Sequence, residues 1–215
     1  MSKHRAAKAR RTHARLAAAL VAATGAGLIG GAVVVYDHRG YHTPSDAGIV
    51  PAATLSSLLT PISARSVPAP TSAPLRVNIA GIEVTAPVVA VAVRHGALEV
   101  PDDVHTLGWW SHSARPGAAH GSVVLVGHVD SQAQGKGALF HLESVRMGST
   151  VTITTKQGAV RYRVVGRRVY EKRVLPSSVF AQDGSPRLVL ITCGGPFDAA
   201  TLHYRDNVVV YAVPV

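Results

Sequence analysis

Two runs, Thr150-Val-Thr-Ile-Thr-Thr155 and Ala159-Val-Arg-Tyr-Arg-Val-Val-Gly-Arg-Arg-Val-Tyr170, flank Lys156-Gln-Gly158. Both are dense in β-branched and aromatic residues, and Gln157-Gly158 between them predicts a hairpin turn. The same texture extends outward from this pair. Short runs rich in Val and Ile, punctuated by Gly, Pro or Asp, predict strands near 75–79, 82–85, 88–93, 98–100, 122–127, 187–193 and 207–213. Two short helical pieces are expected around 138–145 and 176–180. No segment reads as a long amphipathic helix, and no internal repeat is visible. So many short strands in one domain, residues 75–215, predict an all-β fold with short helices, either a closed β-barrel or a sandwich.

The chain before residue 75 is different in kind. Residues 1–15 carry six Lys/Arg and no acid, whereas the rest of the chain carries sixteen Lys/Arg against twelve Asp/Glu. More than half of the +10 net charge is therefore one N-terminal cluster, which argues against a nucleic-acid-binding surface on the domain. Leu16 to Val35 follows without a charge. At a rise of about 1.5 Å per residue, twenty residues span about 30 Å, enough for one transmembrane helix over 16–35. The basic flank predicts a cytoplasmic N-terminus and an extracellular domain, anchored to the cell membrane by a single pass. A cleaved signal peptide is the rival reading, although its apolar core is usually shorter, about 7–15 residues. Residues 36–74 hold Pro44, Pro51, Pro61, Pro68, Pro70 and Pro74 among Ser, Thr and Ala. That composition predicts an extended extracellular linker.

Composition narrows the chemistry. With 47% apolar residues the chain can supply a core, so it is not a disordered protein. A single cysteine, Cys193, rules out a disulfide scaffold and a cysteine-rich zinc site. His105, His112, His120 and His128 have no metal-ligand spacing on one helix face, and no metal or cofactor is expected.

Cys193 ends the run Arg187-Leu-Val-Leu-Ile-Thr192 and precedes Gly194-Gly-Pro196. A free cysteine is often a small buried hydrophobe. At a strand end before a Gly-rich loop it is also placed to act as a nucleophile, and a thiol nucleophile needs a proton acceptor and an oxyanion partner. Among eleven histidines, His128 alone follows an apolar run, Ser122-Val-Val-Leu-Val-Gly127, at the corresponding position. Arg205, in Tyr204-Arg-Asp-Asn207, precedes a third such run.

The segments Val126-Gly-His-Val-Asp130, Leu190-Ile-Thr-Cys-Gly-Gly195 and Tyr204-Arg-Asp-Asn-Val-Val-Val-Tyr-Ala212 resemble the signature segments of the sortases. The chain looks most like the class F sortases of high-GC Gram-positive bacteria. Leu107-Gly-Trp-Trp110, Arg115-Pro-Gly117 and Gly137-Ala-Leu-Phe-His-Leu142 support the likeness. Val126 stands where that class often has Ala, and Lys136 adds a basic residue to the loop after the histidine. The resemblance covers about residues 75–215. It implies a closed eight-stranded sortase-type β-barrel with Cys193 as nucleophile, His128 as general acid/base and Arg205 as the cation beside them. It also implies a membrane-anchored cysteine transpeptidase. Such an enzyme cleaves an LPXTG-like sorting signal through an acyl-thioester and passes the acyl chain to an amine of the cell wall or another protein. A non-catalytic anchored barrel that binds wall polymer or peptide is the alternative. An acyl-enzyme hydrolase is a third reading. Trp109-Trp110 is expected to pack the core or rim, and Thr192 suits a strand as well as a substrate contact.

Overall fold

The computed structural model describes residues 45–51 and 72–215. Eight strands carry the domain: β1 Pro74–Ile79, β2 Val84–Val91, β3 Leu107–Trp110, β4 Ser122–Val126, β5 Thr150–Thr155, β6 Gly158–Glu171, β7 Arg187–Asp198 and β8 His203–Pro214. They pair in the order β6-β5-β1-β2-β3-β4-β7-β8, and β8 pairs back onto β6, closing an all-β barrel. Two of the pairings are parallel, β2 with β3 and β4 with β7. Closure removes the exposed sheet edges that an open sheet of this size would leave.

The hairpin read first from the sequence is β5–β6, with Thr155 opposite Gly158 and Lys156-Gln157 as its two turn residues. Thr155 Oγ1 accepts from the Gln157 N–H and donates to the Gly158 carbonyl, which locks the turn. The segments expected as two strands, 82–85 and 88–93, form one strand, β2. It crosses Pro87 because its first half pairs with β1 and its second half with β3. Pro87 is the last residue of β2 paired with β1, opposite Arg76, and Val88 is the first paired with β3. The helical expectations survive as two 3-10 turns, Leu142–Ser144 and Ser177–Phe180.

Alternation along the strands sorts two apolar clusters. Val123 and Leu125, Leu188 and Leu190, and Val208, Val210 and Ala212 point into the barrel with Val77, Ile79, Trp109, Ile153 and Tyr162. The residues between them, Val124, Val126, Val189, Ile191, Val209 and Tyr211, form a second cluster on the outside. An outward apolar face must be covered, and here the cover comes from irregular segments. The β6–β7 connection supplies Leu175, Val179 and Phe180, the loop after β2 supplies Leu98, and Trp110 stacks edge-on against Phe180 at 5.6 Å.

A further cover comes from Ser45–Pro51, part of the stretch read as linker. Ala47 and Gly48 pair antiparallel with Arg167 and Gly166 of β6, and Val50 packs on the outer cluster. The segment lies across β6 as a strap. Among the described residues no helix is long and apolar enough to cross a membrane. The apolar span expected at 16–35, the basic segment before it and most of the Pro-rich stretch lie outside the described residues.

Candidate active site

Cys193 continues the outward series Val189, Ile191 along β7. The strand was expected to end at the cysteine but runs on to Asp198, so the cysteine lies within it. Its sulfur-bearing side chain is half-buried and lines a groove of about 160 Å³ with Val126, Ile191, Asn207, Leu175, Phe180 and Leu98. The groove therefore lies on the outer face of β4, β7 and β8, and the covering segments are its walls.

The segments that carry the two expected neighbours of Cys193 flank β7 on opposite sides, β4 on one and β8 on the other. On one side, β4 and β7 run parallel with Val126 beside Ile191. The register continues through a Gly127 N–H to Ile191 carbonyl bond of 3.1 Å and a Thr192 Oγ1 to Gly127 carbonyl bond of 2.9 Å. The ladder itself ends at Val126; counted on by two residues, the same register puts position 128 level with position 193, and His128 is not among the residues that line the groove. On the other side, Cys193 stands directly across from Asn207 of β8, and Arg205 lies two residues before Asn207 on the same outward parity. Arg205 also falls inside its strand, where the sequence had put it before the strand.

His128 is held firmly. Its Nε2 lies 2.9 Å from the Pro101 carbonyl oxygen. A carbonyl has no proton to give, so Nε2 carries the hydrogen and Nδ1 is the nitrogen left to exchange protons. Pro101 belongs to a pinned loop. Gln134 donates to the Asp102 carbonyl at 2.9 Å and accepts from the Val104 N–H at 3.3 Å. Asp103 accepts from the Thr106 hydroxyl at 2.6 Å and from the His105 N–H, and these bonds hold its carboxyl below the usual range. Behind His128, its carbonyl accepts from Leu139 N–H at 3.1 Å. Gly137 passes so close that a Cβ there would come 2.4 Å from that same carbonyl oxygen.

Arg205 is exposed, and among the described residues no carboxylate lies within ion-pair distance of it. It sits at a β-bulge. Gly194 pairs with Asp206 and Phe197 with Tyr204, so Gly195 and Pro196 both stand opposite Arg205. Such a bulge turns a strand and re-aims its side chains. Gly195 takes a left-handed φ of 72° there; a Cβ would lie 2.0 Å from an Asp206 carboxylate oxygen. In this structure Arg205 lines a larger neighbouring cleft of about 670 Å³ with Glu171, Asp198 and Asp206.

One bond ties the two arms together. Tyr204 Oη donates to Asp130 Oδ2 at 2.7 Å, joining the β8 hairpin to the loop that follows His128. Neither residue was singled out from the sequence, although both stand in the quoted segments. Lys136, in the short hairpin Asp130–Ser131 with Gly135–Lys136, places its Nζ 4.6 Å from the centre of the Phe140 ring. Thr192 is buried and serves to lock β7 to Gly127. Trp109 is buried in the barrel and Trp110 supports a groove wall, as packing residues.

Arg187, at the start of β7, is the other residue that sequence reading passed over. It is only 2% exposed. Its Nε donates to Ser122 Oγ at 2.9 Å, one Nη to the Pro51 carbonyl at 2.7 Å and the other to the Ser178 carbonyl. Hydrogen bonds to a charged group contribute about 1.5–3 kcal/mol each, against a desolvation penalty of several kcal/mol for a buried ion. One such bond would not hold a guanidinium here, and three can. A lone Arg ahead of an all-apolar strand was the available signal.

Solved structures with the same fold are sortases. Sortase A from Corynebacterium diphtheriae superposes with a TM-score of 0.54 at 20% identity, over 68% of this chain and 62% of that one. Sortase C2 of group B Streptococcus pilus island 1 gives 0.52 at 20% identity, over 65% and 72%. Sortase C-1 from Actinomyces oris gives 0.53 at 18% identity, over 65% and 72%. The chain thus spans less than two thirds of the diphtheria protein, and at these identities the likeness is one of fold. A search of the curated proteins finds no match. The sortase domain profile matches residues 77–215. That match covers all of the barrel but the first three residues of β1, and well over half of the chain; the chain belongs to the sortase family.

Proposed function

We propose that this protein is a membrane-anchored transpeptidase of the class F kind, in which Cys193, His128 and Arg205 do the chemistry. The observation that carries the reading is the parallel β4–β7 register, which supports a direct partnership of His128 with Cys193. The substrate is an extended LPXTG-like sorting signal of an exported protein, lying in the groove on the outer face of β4, β7 and β8. The Cys193 thiolate attacks the threonine carbonyl carbon, and the electron pair moves to the oxygen. Arg205 donates to that oxyanion, which its free, planar guanidinium suits. The carbon–nitrogen bond to glycine then breaks, and the imidazolium of His128 protonates the departing amine from Nδ1. An acyl-thioester remains. The acceptor amine of a cell-wall precursor or another protein gives its proton to neutral His128 and displaces the sulfur.

The test combines a library of sorting-motif peptides with an amine acceptor. An acyl-enzyme adduct on Cys193, and an amide product that depends on the amine, are expected. An adduct that yields only free acid with the amine in excess would favour the hydrolase reading. A barrel that binds peptide without any adduct would favour the non-catalytic one. For the anchor, protease shaving of protoplasts should remove the domain while a membrane-bound N-terminal fragment remains. A soluble mature protein that begins after residue 35 would leave export without anchoring.

A further inference from the structure

The buried guanidinium of Arg187 is bound by three segments that lie far apart in the chain. Pro51 belongs to the strap, Ser122 opens β4, and Ser178 belongs to the β6–β7 connection whose Leu175 and Phe180 wall the groove beside Cys193. That wall has no sheet ladder of its own. Its internal backbone bonds are single turns, Val179 N–H to Pro176 and Ala181 N–H to Ser178, and at its end the Ser122 N–H reaches the Ala181 carbonyl. A wall made this way takes its position from whatever grips it from outside.

The strap is gripped in turn. Arg168 donates from one Nη to the Ala47 carbonyl at 2.9 Å and from the other to the Gly48 carbonyl at 3.0 Å. Asp46 accepts from the Val169 N–H at 2.9 Å, and the Ile49 N–H donates to Val165 at 2.8 Å. Gly48 has a left-handed φ of 67°, and a Cβ on it would fall 2.1 Å from the Val165 carbonyl oxygen. The strap is seated in a slot cut to fit it.

We infer that Arg187 is a positioning residue through which the docked strap, Ser45–Pro51, holds the β6–β7 wall against the bound peptide. The inference rests on the proposed function for the identity of that peptide. The wall residues Leu175 and Phe180 are apolar, so they suit an apolar side chain of the sorting signal, away from the bond that breaks. Contacts of that kind bind substrate and transition state alike, and their loss raises KM with kcat retained. A residue that merely stabilised the fold would lower the melting temperature and leave both constants alone at lower temperatures.

The test uses two variants of the full-length chain, Arg187→Lys and Gly48→Val, with a sorting peptide and an amine as probes. Lysine is a single point charge and cannot serve three divergent acceptors. The Gly48 variant lifts the strap while Arg187 stays intact. Both should raise the peptide KM by about tenfold with kcat within about twofold, the pattern of lost uniform binding. Both should also speed hydrogen exchange at the amides of Val179 and Ala181. If the lysine variant does not fold, Gly48→Val decides alone. Wild-type KM in that variant, with or without faster exchange in the wall, overturns the inference. Wild-type protein that never turns over the peptide would defeat the proposed function instead, and unchanged exchange in the wall of Gly48→Val would then still overturn the coupling.

Discussion

The two arms that flank the Cys193 strand, the β4 side with His128 and the β8 side with Arg205, are held in opposite ways. His128 has its ring tied to Pro101, its carbonyl tied to Leu139, and a glycine pressed against its backbone. Arg205 is exposed on a bulged strand, faces a neighbouring cleft and has no carboxylate within reach among the described residues. On the proposed function, the difference follows from what each must do. A proton-transfer group works only within hydrogen-bond reach of a fixed point, so its position is built into the fold. An oxyanion donor has nothing to hold until the carbonyl carbon is attacked, and a guanidinium already paired to a carboxylate would have to break that pair first. In that reading the base is set in advance, and the cation is left free for the substrate.

The comparison can be broken most completely by removing what the two arms share. Cys193→Ala is expected to abolish acyl-enzyme formation and turnover while the barrel stays folded. The position is half-buried, so the cavity cost is small beside that of a core deletion. Measurable motif cleavage by the folded alanine variant would end the covalent mechanism.

Arg205→Lys tests whether the free arm supplies geometry or only charge. Losing one oxyanion donor costs about 10²–10³ in rate, whereas charge alone at a solvated surface is worth about 0–1 kcal/mol. Acylation is expected to slow by about 10²-fold or more in the lysine variant. A lysine variant within about threefold of wild type would move the oxyanion role to backbone N–H groups near Cys193.

Tyr204→Phe removes the hydroxyl bond from Tyr204 to Asp130 that joins the two arms. Acyl transfer is expected to slow by about tenfold, because misplacement of reacting groups is costly, with a stability loss of about 1.5–3 kcal/mol for a bond to a carboxylate. Asp130→Asn keeps an acceptor for the hydroxyl and should lose less. Equal losses for Asn and Ala at position 130 would show that the charge of Asp130, and not the tie, is what matters.

The barrel interior supplies the smallest effect and a control for both arms. Burial pushes the Tyr162 phenol up to about 12. A group with a raised pKa gives its full stability below its unfolded pKa, about 10, and loses it as pH rises toward 12. Tyr162→Phe should leave turnover unchanged at neutral pH. It should also lessen the fall in melting temperature between about pH 10 and 12. An unchanged alkaline profile would assign that fall to other groups.

How far the sequence reached depends on the kind of signal. The strands were legible because β-rich runs and turn residues are local, and the cysteine and histidine were legible because each closes such a run. Their adjacency is an expectation from the family resemblance, and the parallel register that supports it is carried by no local pattern. β3 was quoted as Leu107-Gly-Trp-Trp110 but not read as a strand, since four residues are too few to show a period. Gly194-Gly195-Pro196 looked like the end of β7, whereas a bulge carries the strand through it. The strap was invisible because Ser45–Pro51 has the composition of the stretch around it. Its place is set by Arg168 and Arg187, more than a hundred residues later in the chain.

The parallel pairing of β4 with β7 also orders events in time. The bond from Thr192 to Gly127 closes a loop of 65 residues, and pairings so distant along the chain form late, after local hairpins such as β5–β6. On the proposed function, the thiol and its imidazole are therefore strangers through most of folding. Reactivity arrives only with the completed barrel, and a half-folded molecule is chemically quiet. In a refolding experiment, protection of the β5–β6 amides should precede labelling of Cys193 by a substrate-like electrophile, and labelling that came first would refute this order.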